Sequence, residues 1–364
     1  MNRRRFLKSA TLATGSAGLT SLAAPALAQN KLTWRMVTCW PKSFPGIGAS
    51  AERLAQRITR ASAGRLTIQV YSAGELVPPF QALDAVIDGA AEMCHSSSYY
   101  WQNKSVALNF FAGLPYGMTM REQSAWIHEL DGQALWDEIY APFGVQAFLC
   151  GNSGNQAGGW FRKELTGLDS VKGLRFRTPG FGGRIWEKLG ATVTNVPPGE
   201  IYPALQSGTL DAAEFAGPFN DLALGFYQAA SYLYLSSFNE PAQGVELVVS
   251  KEKFQALPED LQQIVRDACQ AETDQMTNSY FANDPRALKT LVDQHGVQVR
   301  DFPEDIKQAG AAAAQEIYAE LLASEDALTR RTAESFVDAM RLLRGRSESN
   351  EGLYIQTRAK YFTL

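Results

Sequence analysis

The sequence predicts an α/β fold built as two facing lobes, and three observations predict it. Apolar-alternating runs give way to runs with apolar residues at helical spacing and then to further strands, an order that builds a mostly parallel sheet covered on both faces. Without a removable leader, 336 of the 364 residues remain, more than one hydrophobic core usually serves. An octapeptide of the first half, Ala85-Val86-Ile87-Asp88-Gly89-Ala90-Ala91-Glu92, returns in the second as Ala204-Leu205-Gln206-Ser207-Gly208-Thr209-Leu210-Asp211, both reading Ala-apolar-x-x-Gly-x-x-acid. In each copy the glycine supplies the left-handed turn that stops a helix before a strand.

The leader comes first. Arg3-Arg4-Arg5-Phe6-Leu7-Lys8 opens a twin-arginine export signal, a weakly apolar stretch runs from Ser9 to Ala24, and Ala26-Leu27-Ala28 has the small-x-small shape of a cleavage site. Residues 1–28 are therefore expected to be removed, leaving a periplasmic protein that begins at Gln29. The apolar stretch is too short and too rich in Gly and Thr to span ~30 Å of hydrocarbon. Loss of three arginines and one lysine takes the net charge from −4 to −8, which excludes nucleic-acid binding through the overall field.

Leu32 to Thr38 reads as a strand, Pro41 to Gly48 as a loop, and Ile47, Ala51, Leu54, Ala55 and Ile58 as the apolar stripe of a helix ended by Gly64. Leu66, Ile68 and Val70 alternate as a strand should; Phe80 to Asp88 is a helix closed by Gly89, and Glu92 to His95 a short strand. Cys150 to Gly159 packs four glycines and three amides into ten residues, the composition of a chain that crosses between lobes. A strand at Val245–Ser250 and a helical run from Pro258 to His295 return to the first lobe, and the pattern is helical from Pro303 to the end. The predicted organisation is a first lobe of residues 29–150 with 245–297 and a second of 151–244. Long C-terminal helices over 298–364 pack on both lobes and on a second subunit.

Enzyme chemistry finds little support. The three histidines, His95, His128 and His295, are scattered without metal-ligand spacing, and there is no Gly-x-Ser-x-Gly elbow. Gly180-Phe181-Gly182-Gly183 lacks the spacing of a dinucleotide loop. His95, ending a strand, reads as a hydrogen-bonded interior histidine. The four cysteines lie about fifty residues or more apart, which excludes a metal knuckle or a Cys-x-x-Cys pair and favours four buried thiols. What stands out is Gly173-Leu174-Arg175-Phe176-Arg177-Thr178-Pro179-Gly180, where both arginines share one face of a strand and present a guanidinium fork suited to a carboxylate.

From Lys31 to about Tyr361 the chain resembles the periplasmic solute receptors of tripartite ATP-independent periplasmic (TRAP) transporters, and within them the subgroup that binds alpha-keto acids. The residues that carry the resemblance are Tyr71-Ser72-Ala73-Gly74-Glu75-Leu76-Val77-Pro78, Cys94-His95 with Tyr99-Tyr100-Trp101, Gly151 to Gln156 with Gly158 to Arg162, and Glu200 to Glu214. It implies a two-lobed periplasmic solute-receptor fold with the solute in the cleft between lobes. By resemblance, Arg177 clamps the solute carboxylate while Arg175 serves structure, Asn152 hydrogen-bonds the solute, and Tyr100 with Tyr99 supplies an aromatic hydroxyl over the pocket. Gln156, Glu214, the carbonyl of Phe215 and Glu240 match positions that hold a bridging metal cation, sodium first and calcium second, with no organic cofactor. The implied solute is a small organic acid, a 2-oxo or 2-hydroxy monocarboxylate, and the implied partners are the TRAP permease subunits and a second copy of the chain.

Two departures bear on the pocket. Phe215 stands where the subgroup has Trp, and Asn239-Glu240-Pro241 replaces an aromatic-rich approach to the glutamate, so a solute bulkier or differently shaped than pyruvate is expected. The rival reading from another class is a secreted cofactor-dependent enzyme using the same export route.

Overall fold

A computed structural model describes residues 31–235 and 237–362; the predicted leader, its cleavage site and the start at Gln29 lie outside the described residues. Eleven strands form in chain order: β1 (Leu32–Thr38), β2 (Leu66–Tyr71), β3 (Met93–Ser96), β4 (Val145–Asn152), β5 (Gly159–Phe161), β6 (Arg175–Arg177), β7 (Thr192–Thr194), β8 (Ala212–Ala213), β9 (Tyr232–Tyr234), β10 (Gly244–Ser250) and β11 (Gln298–Arg300). They assemble into two sheets, a five-stranded one of order β2-β1-β3-β10-β4 and a six-stranded one of order β11-β9-β5-β8-β6-β7.

Both sheets are mixed, which corrects the expectation of a mostly parallel arrangement. β1 pairs in parallel with β2 and β3, as helical crossovers dictate. β10, however, runs antiparallel to both β3 and β4, because β4 carries the chain out of the first lobe and β10 carries it back. In the second sheet β6 is parallel to β7 and β8, while β5 is antiparallel to β8 and β9.

The helices follow their apolar stripes: α1 (Ile47–Ala61), α2 (Ala82–Ile87), α3 (Asn109–Ala112), α4 (Met120–Glu129), α5 (Gly132–Tyr140), α6 (Gly180–Lys188), α7 (Pro198–Ser207), α8 (Pro218–Leu224), α9 (Lys251–Gln255), α10 (Glu259–His295), α11 (Glu304–Leu322), α12 (Ala327–Arg346) and α13 (Leu353–Tyr361). The helix expected from Phe80 begins instead as a single 3-10 turn at Pro79–Gln81, with Pro79 in its first helical position, before α2 takes over. Gly180 to Gly183 form the first turn of α6 rather than a loop. α4 carries a capping box in which Thr119 and Glu122 satisfy each other's backbone N–H.

The octapeptide echo is a structural one. Gly89 and Gly208 both take φ of 76°, and each copy closes with the same seven-residue turn, Ala91 N–H to Ala85 O at 2.9 Å and Leu210 N–H to Ala204 O at 3.0 Å. A glycine needs no Cβ there, and any other residue would be strained.

α10 is 37 residues long and packs on α1 and β4 of the first lobe and on α8 of the second, so the helical run given to the first lobe is a spine shared by both. β11, expected among the C-terminal helices, is instead the edge strand of the second sheet. α12 packs on α4, α5 and α11; it then continues through a π-turn at Ser347–Gly352 into α13, which packs on that turn. Leu342, Leu353, Tyr354, Ile355 and Phe362 are exposed along this last stretch. Among the described residues no helix is long and apolar enough to cross a membrane.

All four cysteines are buried and free. Burial pushes each thiol well above its ordinary range.

Candidate functional site

Two irregular segments cross between the sheets, residues 153–158 outward and 237–243 back, and they are stitched together. Ser153 N–H donates to Gln243 O at 3.2 Å and Gln156 N–H to Glu240 O at 3.1 Å; Ala157 and Gly158 donate on to Ala216 O and Tyr234 O at 2.8 and 2.6 Å. Glycine is required at 158, where a Cβ would lie 2.3 Å from the ring of Phe302. Gln156 and Glu240 are thereby held side by side at the junction of the lobes.

β6 and β8 deliver the other charged groups. Glu214 follows β8 and its N–H donates to Arg177 O at 2.9 Å, so arginine and glutamate leave the ends of adjacent strands together. Arg177 and Glu214 are 0 % exposed, Glu240 2 % and Gln156 3 %. The guanidinium of Arg177 donates from Nη1 to the Glu214 carbonyl and from Nε to Val196 O at 3.2 Å, leaving Nη2 buried with no partner among the described residues. An unpaired buried guanidinium nitrogen costs free energy until a partner is supplied.

The Gln156 side-chain amide lies at the centre of a group of oxygens. One of its two terminal atoms is 2.5 Å from Glu214 Oε1, 2.8 Å from Phe215 O and 3.1 Å from Glu240 Oε2; the other is 2.9 Å from Ser153 Oγ. With nitrogen facing inward, its two hydrogens are shared among the three. With oxygen inward, four oxygens converge with no hydrogen between them, the donor set a hard cation takes. Burial, together with the charge of Glu214, pushes the Glu240 carboxyl well above its ordinary range; burial does the same to Glu214, opposed by Arg177. Two buried carboxylates this close need a cation or a proton to share the site.

Aromatic rings close the space over Arg177. From the first lobe Tyr100 packs on Phe80 and Tyr99, both at 4.8 Å between centroids, and on Trp40 at 6.1 Å. Its buried hydroxyl has no partner among the described residues. From the second lobe Phe215 lies 5.7 Å beneath the Arg177 guanidinium and meets Phe44 of the first lobe at 5.9 Å, so the lobes touch across the site and shut it from solvent.

The structure thus brings together Tyr99, Tyr100, Gln156, Arg177, Glu214, Phe215 and Glu240. Asn152 is not hydrogen-bonded to this group. Its Nδ2 donates to Gln123 Oε1 at 2.9 Å and its Oδ1 accepts from Gly154 N–H at 2.8 Å, which makes it a brace of the crossing segment. Arg175 is spent on Asp211. His95 is interior as expected: Nδ1 accepts from Trp40 Nε1 at 2.8 Å, and burial lowers its pKa to about 3, keeping the ring neutral. Sequence reasoning missed Thr178, whose hydroxyl donates to Glu214 Oε2 at 3.3 Å, along with Phe44 and Ser153. Thr178 adjoins Arg177 and was in reach; Phe44, in an apolar loop, gave no signal.

Residues 36–325 match the bacterial extracellular solute-binding proteins of family 7 (DctP). A monocarboxylate 2-oxoacid-binding periplasmic protein of a Nostoc species is 37% identical over 341 residues, covering 92% of this chain and 93% of the relative. A TRAP periplasmic solute-binding protein of Pseudoalteromonas atlantica, solved with sodium and pyruvate, superposes with a TM-score of 0.86 at 35% identity, over 90% of this chain and 99% of that one. One from Bordetella bronchiseptica, a mixed-occupancy dimer with calcium and picolinate at its occupied site, gives 0.87 at 34% identity over 90% of this chain and 97% of that one. These relatives are solute-binding proteins, which sets aside the cofactor-dependent enzyme.

Proposed function

Because the chain belongs to the bacterial extracellular solute-binding proteins of family 7, the periplasmic receptors of TRAP transporters, we propose that it captures a small 2-oxo or 2-hydroxy monocarboxylate and delivers it to the TRAP permease subunits. The observation that carries this reading is the occurrence, among buried groups at the junction of the two sheets, of a spare Arg177 Nη2 and four converging oxygens. The arginine fork suits a carboxylate. Gln156, Glu214, Glu240 and the Phe215 carbonyl would hold a sodium or calcium ion, which supplies the positive charge that lets an anion sit beside two glutamates. Tyr100 Oη donates to the solute's remaining oxygen, and closure of the lobes excludes water. Phe215, smaller than tryptophan, leaves room for a side chain longer than the methyl of pyruvate.

Assembly belongs to the same proposal. The exposed apolar residues of α12 and α13 are a large apolar surface to leave in water, and a second copy of the chain covers them.

Calorimetry of the mature protein with pyruvate and longer 2-oxo acids, in sodium, calcium and cation-free buffer, tests the reading. Cation-dependent binding of at least one acid is expected; no binding of any 2-oxo or 2-hydroxy acid in any cation would overturn it.

A further inference from the structure

A second set of contacts joins the lobes away from the solute site. α8 is fixed to the second sheet by Asp221, whose Oδ2 accepts from Trp160 Nε1 of β5 at 2.8 Å. The neighbouring residue, Asn220, is 0 % exposed and faces the other way. Its Nδ2 donates to the carbonyl of Pro45, in the first-lobe loop before α1, at 2.7 Å, and its Oδ1 accepts from the hydroxyl of Tyr280 on α10. Gly46 is shaped for this meeting. With φ of 69° and an imagined Cβ only 2.7 Å from Tyr280 Oη, it is a position where a side chain would both strain the backbone and keep the tyrosine away.

One of these bonds, Asn220 to Pro45, spans the two lobes, while Tyr280 sits on the shared spine α10. The Pro45 carbonyl belongs to the loop that enters α1 of the first lobe, whereas Asn220 adjoins Asp221, which is tied to β5 of the second sheet, on a helix that also rests on α10. Opening the cleft breaks the Asn220 to Pro45 bond and exposes the three-way junction to water. A contact made only in the closed form weights the open–closed equilibrium and slows release of whatever is enclosed.

We propose that Asn220, held by Tyr280 and docked on the Pro45 carbonyl, is the latch of the closed receptor. It is a positioning residue, acting on solute retention without touching solute, and the inference rests on the reading of the chain as a receptor that closes on its ligand. Closed-state hydrogen bonds of this kind set the dissociation rate, while association depends on the open form.

The test places spin labels at Arg60→Cys on α1 and Ser207→Cys on α7, both exposed positions, and measures the interlobe distance distribution without solute and with pyruvate in sodium buffer. Tyr280→Phe is the gentle variant, losing one hydroxyl, and Asn220→Ala the stronger. Both are expected to deplete the closed separation, and to raise the pyruvate dissociation rate about fivefold and twentyfold with association within twofold, at about one to two lost hydrogen bonds. Unchanged melting of the solute-free variants, set against a reduced pyruvate-induced shift, separates a latch from a merely structural bond. Distance distributions identical to the parent's in both samples overturn the latch, as does an equal loss of melting temperature with and without solute. A parent distribution that pyruvate does not move excludes pyruvate as the solute and leaves the solute class to the calorimetry, and the solute-free comparison then decides the latch alone.

Discussion

Arg175 grips Asp211 three ways, its backbone N–H and Nε donating to Oδ2 at 3.1 and 2.8 Å and its Nη2 to Oδ1 at 2.7 Å. Arg35 repeats the grip on Glu92 in the other lobe, with backbone N–H, Nε and Nη2 at 2.7, 3.2 and 2.9 Å. In each case the acid ends the echoed octapeptide and its own N–H returns a bond to the arginine carbonyl, at 2.9 and 3.1 Å. The two lobes therefore share one strand-helix-strand-helix-strand unit, β1 to β3 and β6 to β8, with one clasp. They differ two residues on, where the first carries Val37 and the second Arg177. The proposed carboxylate clamp sits on one copy of a common frame.

The clasp of the first lobe is expected to matter more for stability, because Lys253 Nζ also reaches Glu92, at 2.6 Å. Burial alone would raise that carboxyl, but Arg35 and Lys253 hold it at about 2. Its stabilisation is present above the ordinary pKa of about 4.5 and is lost as pH falls toward 2. Melting curves should show Glu92→Gln lowering stability at neutral pH more than Asp211→Asn does, with Glu92→Gln leaving solute affinity within about twofold; equal melting temperatures for the two variants would refute the ranking.

Arg177→Ala should remove binding while leaving the fold. The lost charge-assisted pair costs about 2 to 5 kcal/mol, and Arg177→Lys recovers little because an ammonium cannot present two parallel donors. Calorimetry on the variant checks it, near-normal affinity being the contrary outcome.

Stability of the cation-free protein should fall as pH rises from about 5 to about 8. Burial raises Glu214 and Glu240, lifts Glu246 to about 7 against three hydrogen-bond donors, and lifts Asp284 to about 6. The folded chain keeps protons on these groups that the unfolded chain releases, so the stabilisation is full below the unfolded carboxyl range and disappears on passing upward through the folded values. A cation competes with protons at Glu214 and Glu240, so sodium or calcium should raise the melting temperature more at the higher pH than at the lower. A cation effect that is absent at both pH values would contradict the site.

Removal of residues 347–364 is expected to convert a dimer to a monomer with solute affinity intact, since the exposed Leu353, Tyr354, Ile355 and Phe362 go with them. Light scattering of the intact and shortened proteins at micromolar concentration decides this, and an intact chain of monomeric mass would be the contrary result.

Much of the fold was legible where the physics is local. β1, α1 and β2 follow from apolar spacing, and Gly89 and Gly208 announce their turns. The antiparallel entry of β10 between β3 and β4 was not, because pairing between residues some 150 positions apart leaves no mark in either segment. Within the site, spacing put Arg175 and Arg177 on one face but could not say which is buried; that follows from Asp211 standing beside one and Glu214 beside the other. Resemblance supplied Gln156 and Glu240, whose meeting depends on two crossing segments being stitched together. Asn220 gave no signal, as an asparagine in the first turn of a short helix reads as a helix-start residue.

The buried cysteines have a consequence for how the protein lives in its compartment. Disulfide exchange proceeds through the thiolate, and a thiol that is both enclosed and reluctant to ionise offers almost none. The folded chain is therefore blind to the redox state around it. It needs no oxidase to complete it and no isomerase to correct it, and it keeps one covalent structure whether it meets the reducing interior of the cell or the oxidising space outside the inner membrane.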